Sequence, residues 1–481
     1  MRAQIILWYA GLILLLNSAF LFVATIVSLI NLDSGLFPLA YSTIIVFLFG
    51  IFPIIFVKPN EDVSNKEGLA ILIIGWLISC LFGTIPYVLW GGEFSFTNAW
   101  FESVSGFTTT GSTILTNVEI LPKGLLFWRA TTHWIGGMGI IVFVLAVLPT
   151  IGLAGMTLYR SEVSHLTMEK LSFNTRNAAK VLISVYVGLT VFESLLLVFG
   201  GMSIFDSVTH SFATIATGGF SVKNLSIAHY DNLYFEIVII LFMIVAGTHF
   251  GYLYKIISNK FKNIERTGIV TYYLVILLSG IIIATFYMRI SGLFDNIFTS
   301  LRYATFQIVS IGTSTGFATT NTNIWPPVAK VLIIFFTFQC ACAGSTSGGI
   351  KVDRMILFIK TIIKKTRQLL HPHAVIPVKL DGKEITPSAL EMSVLYVSLY
   401  IFVVFISTIL ITLTGINSLE AFTGSAAAMG NVGPGLGAVG SMGNYSDIPA
   451  FGKWVLSGTM LLGRLEIFGF IIFLSRSTWK H

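Results

Sequence analysis

The sequence predicts an all-α polytopic membrane protein, made of four similar helical units preceded by two extra spanning helices. Three observations carry that prediction. The 481 residues are 55% hydrophobic and only 11% charged, whereas soluble domains carry about 25% charged residues. Ten apolar segments approach the roughly 20 residues needed to cross a bilayer core about 30 Å thick. A glycine set among hydroxyl side chains recurs four times, each time between a short apolar-polar stretch and a long apolar one.

Taken in chain order, the segments are 5–30, 39–57, 69–91, 125–150, 181–200, 233–254, 269–290, 328–343, 390–414 and 452–475. The first reads as a span, being too long and lacking the small-residue exit of a cleaved signal. Lys and Arg set the orientation. With the N-terminus inside, the cytoplasmic stretches are 58–68, 159–180, 255–268, 351–384 and 476–481, and with Arg2 they hold most of the 29 basic residues. Topology therefore accounts for the +7 net charge, and a nucleic-acid partner is not needed to explain it. Cys80, Cys340 and Cys342 all fall in expected membrane helices, which argues for packing roles over a disulfide framework or metal site.

The first glycine lies in GFTTTGSTILTN (106–117), after the stretch EFSFTNAWFESVSGF. A dozen residues cannot cross the core, so that stretch reads as a half-length helix entering and stopping. The same order returns at FDSVTHSFATIATGGF (205–220), LFDNIFTSLRYATFQIVSIGTSTGF (293–317) and LEAFTGSAAAMGNVGPG (419–435). Aligning Gly111, Gly218, Gly316 and Gly433 gives a period of roughly one hundred residues, the mark of repeated units. The expected organisation is two N-terminal helices in 1–60, then repeats at 61–165, 166–260, 261–370 and 371–481.

Irregular backbone at membrane depth is tolerated only where protein buries it or where it lines a watery cavity. Glycine allows close approach and positive φ. Four such strands around one axis would present rings of carbonyl oxygens able to replace a cation's hydration shell. The short helices would point their negative dipole ends at the same place. Glu93, Glu102, Asp206, Asp295 and Glu420 are expected near the outer mouth, where they would concentrate cations. Close packing of small residues alone is the competing reading, but it requires neither half-helices nor hydroxyls.

These motifs resemble the Trk/Ktr/HKT superfamily of potassium transporters, over essentially all of 61–481. The two helices ahead of the repeats look like its bacterial TrkH branch. The resemblance implies four helix–pore-helix–helix repeats around a central pore, in a multi-pass protein of the bacterial cytoplasmic membrane with both termini inside. It implies K+ as the transported ion and a filter formed by Thr109, Thr110 and Gly111; Ala216, Thr217 and Gly218; Ser314, Thr315 and Gly316; and Asn431, Val432 and Gly433. In plant members, a serine in place of the first filter glycine goes with sodium transport; this chain has Gly111. Asn431-Val432 departs from the hydroxyl pattern of the other repeats and makes the filter asymmetric.

The resemblance also implies a gate. In the third repeat, CAGSTSGGIKVDR interrupts the second helix, and its Ala343, Gly344, Ser345, Thr346, Ser347, Gly348 and Gly349 match a loop that obstructs the pore below the filter. That composition disfavours continuous helix. Arg464 in LLGRLEIFGF is an intramembrane charge, functional by default, and matches an arginine that acts as an electrostatic barrier beneath the filter. Glu466, two residues on, points to another face and is not its helical partner. A homodimer and a separate ring of nucleotide-binding regulatory subunits are implied as partners, with no organic cofactor in this chain.

Weaker signals are Glu193, read first as a satisfied interhelical hydrogen bond and second as a coupling site, and His133 and His249, read as packing or hydrogen-bonding residues. GPGLGAVG (433–440) lacks the strand before and helix after that a nucleotide-binding glycine motif needs. An enzyme would need clustered His, Asp or Cys on facing helices, and these are scattered. The expected function is potassium uptake through a gated filter, with a symporter coupled to H+ or Na+ as the alternative.

Overall fold

The structure, a computed structural model, describes residues 2–57, 64–146, 175–257 and 268–474. The expected cytoplasmic stretches 159–180, 255–268 and 476–481, much of 58–68, the end of the 125–150 span and the repeat boundaries near 165 and 260 fall wholly or largely outside those residues.

Helices α1 (Ala3–Asn31) and α2 (Leu36–Phe56) form a hairpin. They cross closely at Gly11 and Gly50, where a Cβ on Gly11 would meet the Gly50 carbonyl, the small-residue packing that suits helices in lipid. At the turn, Asp33 accepts the N–H groups of Gly35 and, across the fold, Gly124. The hairpin packs on the first repeat through α1.

Repeat one comprises α3 (Asn65–Gly83), its short continuation α4 (Ile85–Trp90), the half-length α5 (Phe96–Phe107) and α6 (Lys123–Ala146). Ser64 and Glu67 make a capping box at the start of α3, and Arg2 pairs with Glu67 at 2.8 Å. Repeat two has α7 (Thr175–Phe199), half-length α8 (Ile204–Ile215), α9 (Leu233–Ala246) and α10 (Phe250–Ile257). Repeat three has α11 (Gly268–Ile290), half-length α12 (Ile297–Gly312), α13 (Pro327–Phe338) and α14 (Val352–Leu370). A two-stranded hairpin (Lys379–Leu380 with Lys383–Glu384) leads to repeat four: α15 (Pro387–Thr412), half-length α16 (Ser418–Gly430), α17 (Ala450–Arg464) and α18 (Ile467–Leu474).

The second helices of repeats two and four, expected as continuous spans, are broken, and that of repeat three, expected to break at the CAGSTSGG run, already ends at Phe338. Among the described residues six helices are long and apolar enough to cross a membrane, or seven if the bent α17–α18 pair counts as one. The break in the second repeat is held by partners in the third. At Gly247 the carbonyl accepts the Cys342 N–H at 3.0 Å, and Phe250 N–H donates to Gly344 at 3.1 Å. After Phe338 the chain runs extended, and Gln339 pairs with Ile350 in a parallel bridge. Cys340 and Cys342 therefore lie in this extended stretch, while Cys80 lies in α3 as expected. Between α17 and α18 the axis turns by 105° at Glu466, whose φ is 61°. Every backbone group freed at membrane depth needs a partner inside the protein, and the third repeat's loop supplies partners for the break in the second.

Candidate functional site

The four half-length helices are built alike at both ends. Ser95, Ser203, Asn296 and Asn417 cap their starts by accepting the N–H groups of Asn98, Asp206, Phe298 and Leu419. At the other end the chain turns left-handed at Thr109, Thr217, Ser314 and Asn431, with φ of 53°, 53°, 57° and 50°. The next N–H then reaches back five residues: Thr110 to Ser105, Gly218 to Ala213, Thr315 to Ser310 and Val432 to Ala427, at 2.8–2.9 Å. This is a Schellman closure. Holding four non-glycine residues in that conformation costs about 1–2 kcal/mol each, a strain of the kind that clusters at functional sites.

One residue further on, Gly111, Gly219, Gly316 and Gly433 have φ of 82°, 78°, 81° and 96°. A Cβ on each would lie closer than 3.0 Å to a carbonyl oxygen of the next repeat: Gly218, Thr315, Val432 and Thr110 in turn. The order closes on itself, so four strands form one ring in which only glycine fits. Among the described residues, the carbonyls of the left-handed residues, of those that follow them and of the four glycines accept no hydrogen bond from the chain, with the exceptions of Gly433 and of Gly218, whose backbone meets the His133 imidazole. The surrounding side chains are buried, and a buried carbonyl without a partner is rare.

The ring corrects the second repeat by one residue. The equivalent of Thr109-Thr110-Gly111 is Thr217-Gly218-Gly219, not Ala216-Thr217-Gly218. Ala216 caps the helix with φ −75° and remains right-handed. In the other three repeats the left-handed turn and the ring glycine fall at Thr109–Gly111, Ser314–Gly316 and Asn431–Gly433. The spacing from cap to glycine could have decided the matter, since Ser95 to Gly111, Ser203 to Gly219 and Asn417 to Gly433 are equally far apart.

Behind the ring, Glu102, His210 and Gln307 occupy the same position in their helices and fasten the outgoing strands. Glu102 accepts from the Ile114 N–H at 3.1 Å and the Thr113 hydroxyl, His210 meets the Ser221 hydroxyl at 2.9 Å, and Gln307 donates to Phe317 at 3.5 Å. Glu102 is fully buried and paired with Arg129 at 2.7 Å. Its expected role as a mouth carboxylate is overturned, because its charge is compensated and inaccessible. Glu93 and Asp295 are exposed, and Asp206 and Glu420 are half-buried. Arg129 also lies 3.9 Å from the centre of the Phe220 ring. His133 binds Gly106 through Nδ1 at 2.7 Å and accepts Phe220 N–H through Nε2 at 3.2 Å, joining repeats one and two.

The Ala343–Gly349 loop is buried against the ends of these helices. The Thr346 hydroxyl donates to Ile215 at 3.0 Å and lies 3.3 Å from that of Thr217. Gly348 N–H donates to the Ser314 hydroxyl at 2.9 Å, and a Cβ on Gly348 would strike Asn431 and the Gly430 carbonyl. Inside the loop Ser345 and Ser347 share a bond at 2.9 Å, the Lys351 ammonium binds Ser347, Asp353 accepts Ala343 N–H at 2.8 Å, and Gly344 packs on His249. Thus three of the four left-handed residues face the loop.

Arg464 completes the enclosure. It is 2% exposed and donates to the carbonyls of Thr346 at 2.7 Å and Gly136 of repeat one at 2.9 Å. Among the described residues no carboxylate pairs with it. Glu466 pairs with Arg354 at 2.7 Å, in keeping with the different face expected for it. Glu193, expected to be a satisfied hydrogen-bonding residue, is fully buried in α7, and among the described residues neither carboxyl oxygen has a partner at hydrogen-bond geometry. The Thr214 hydroxyl, which approaches it from α8, donates to His210 at 2.8 Å.

Comparison with known proteins agrees with this architecture. A family model described as the cation transport protein TrkH matches residues 40–480. The chain is 35% identical over 427 residues to the Trk system potassium uptake protein TrkH of Salmonella typhimurium, covering 88% of each. It is 32% identical to the protein of that name from Vibrio parahaemolyticus, over the whole of both. The crystal structure of the potassium transporter TrkH from Vibrio parahaemolyticus matches with a TM-score of 0.91 at 30% identity, again over the whole of both chains.

Proposed function

Since the chain belongs to the TrkH family of cation transport proteins, we propose that it carries K+ into the cell through the backbone ring and that the Ala343–Gly349 loop gates passage. The observation that carries this reading is the ring itself: four glycines each abut the next repeat's carbonyl, and among the described residues most of the ring carbonyls are left without a hydrogen-bond partner. Such oxygens can stand in for a cation's hydration shell. The filter is Thr109, Thr110 and Gly111; Thr217, Gly218 and Gly219; Ser314, Thr315 and Gly316; and Asn431, Val432 and Gly433. The half-helices converge their negative ends there and favour a cation over an anion.

The loop and Arg464 close the path beneath. A cation leaving the filter meets the loop and an arginine that hydrogen-bonds backbone carbonyls and, among the described residues, no carboxylate, and its charge raises the barrier. Moving the loop aside breaks its bonds to Ile215, Ser314 and Arg464 together. The membrane potential supplies about 2.3 kcal/mol per charge per 100 mV, enough to drive uptake without a coupling ion. The basic helix α14 and the stretch that follows it suit the cytoplasmic side and a docking partner; by family resemblance that partner is a nucleotide-binding regulatory ring, with the pore chain a homodimer in the cytoplasmic membrane.

Flux into liposomes tests this, with K+, Rb+, Na+ and Li+ supplied separately. K+ and Rb+ are expected to pass well ahead of Na+ and Li+; equal entry of all four would defeat the filter assignment. The unpartnered carboxyl of Glu193 favours a second reading, transport coupled to H+ or Na+. Reversal potentials that track K+ alone as the H+ and Na+ gradients are varied would exclude it.

A further inference from the structure

Gly433 breaks the symmetry of the ring. Its carbonyl accepts two hydrogen bonds, from the Tyr445 hydroxyl at 2.7 Å and the Ser112 hydroxyl at 3.1 Å. The carbonyls of Gly111, Gly219 and Gly316 accept none among the described residues. Tyr445 is held firmly in this position. It is 2% exposed, its N–H donates to Thr113 at 2.8 Å, and its ring packs on Phe101 with centroids 5.5 Å apart. Room for it comes from Gly424, which stands in α16 where the other half-helices carry Glu102, His210 and Gln307. A Cβ at Gly424 would already touch the tyrosine ring at 3.6 Å.

We propose that Tyr445, assisted by Ser112, is a specificity-determining positioning residue that withdraws the Gly433 carbonyl from ion coordination. This rests on the filter reading above. A carbonyl has two lone pairs, and two hydroxyl donors use both, orienting the group and neutralising part of its charge. The ring level formed by the four glycines then offers a cation three strong oxygens instead of four. Selectivity depends on the number and field of the oxygens, and a smaller set favours K+ over the smaller Na+ less. The hydroxyl pair therefore makes this level more permissive than a symmetric ring.

The Tyr445→Phe variant tests the idea because it removes one oxygen and keeps the ring in place. With K+ flux retained, the K+ to Na+ flux ratio in liposomes is expected to rise several-fold, and Ser112→Ala to raise it less. A residue that merely supports the fold would loosen the filter and lower the ratio, so a fall or no change overturns the proposal. Failure of both variants to assemble also overturns it, since the hydroxyls would then serve the fold. Gly111→Ser run alongside separates the two readings. If it alters the ratio while Tyr445→Phe does not, only this proposal fails; if it leaves the ratio unchanged, the filter assignment itself is wrong.

Discussion

Arg464 donates to the carbonyl of Thr346 at 2.7 Å across 118 residues of chain, and its second nitrogen reaches Gly136 in repeat one. One side chain of the last repeat thus ties the third repeat's loop to the first. Hydrogen bonds to a charged group contribute about 1.5–3 kcal/mol. Arg464→Gln should therefore raise basal K+ flux about tenfold or more, by releasing the loop and removing the charge. Unchanged flux from folded protein in liposomes would count against both roles.

Shortening the loop removes the obstruction more directly. Deleting Ser345 to Gly348 takes away the bonds to Ile215 and Ser314 while leaving the ring residues in the chain. Basal flux is expected to rise with the K+ to Na+ ratio preserved. A rise accompanied by lost discrimination would show that the loop supports the filter as well as closing it.

The register of the second repeat can be checked by paired substitutions. Gly219→Ser places a side chain against Thr315 and should lower the K+ to Na+ ratio as Gly111→Ser does. Ala216→Ser falls on a right-handed cap residue and should leave the ratio unchanged. The opposite pattern would restore the register read from sequence.

The buried pair of Glu102 and Arg129 should matter to folding more than to selectivity. Arg129→Met leaves an uncompensated carboxylate and is expected to cost about 3–5 kcal/mol, seen as a lower thermal midpoint of the purified protein. Adding Glu102→Gln should recover part of the loss. No recovery would mean that the pair's hydrogen bonds to the Thr113 hydroxyl and to the Ile114 and Ser221 backbone outweigh its charge balance.

The repeated architecture was legible because lipid imposes a strong rule on composition, and a half-length apolar stretch before a glycine violates it conspicuously. Four violations in the same order point to four equivalent units, and the triplets that the family resemblance picks out in three of them coincide with the left-handed turn and ring glycine of the structure. ATGGF defeated the fourth because it offers two adjacent glycines, and local pattern cannot tell which one abuts a neighbouring strand. Glu102 was misplaced for a related reason. A carboxylate midway along a half-helix looks like a mouth residue until Arg129, 27 positions later, is found against it.

The sequence by itself determined that this is a multi-pass membrane protein of four repeats and, at the ends of the half-helices, where backbone must leave the helix. Apolar length, Lys and Arg bias and glycine composition are local or additive properties, and they survive projection onto one dimension. Only the tertiary structure decided that Gly219 closes the ring, that α9 ends where the loop can satisfy it, that Arg464 is met by carbonyls, and that Tyr445 occupies the oxygen of Gly433. All but the last, which lies within repeat four, are pairings between repeats about one hundred or more residues apart. A buried carbonyl or charge accepts whichever distant partner the packing delivers, and nothing in its own neighbourhood of the chain names that partner.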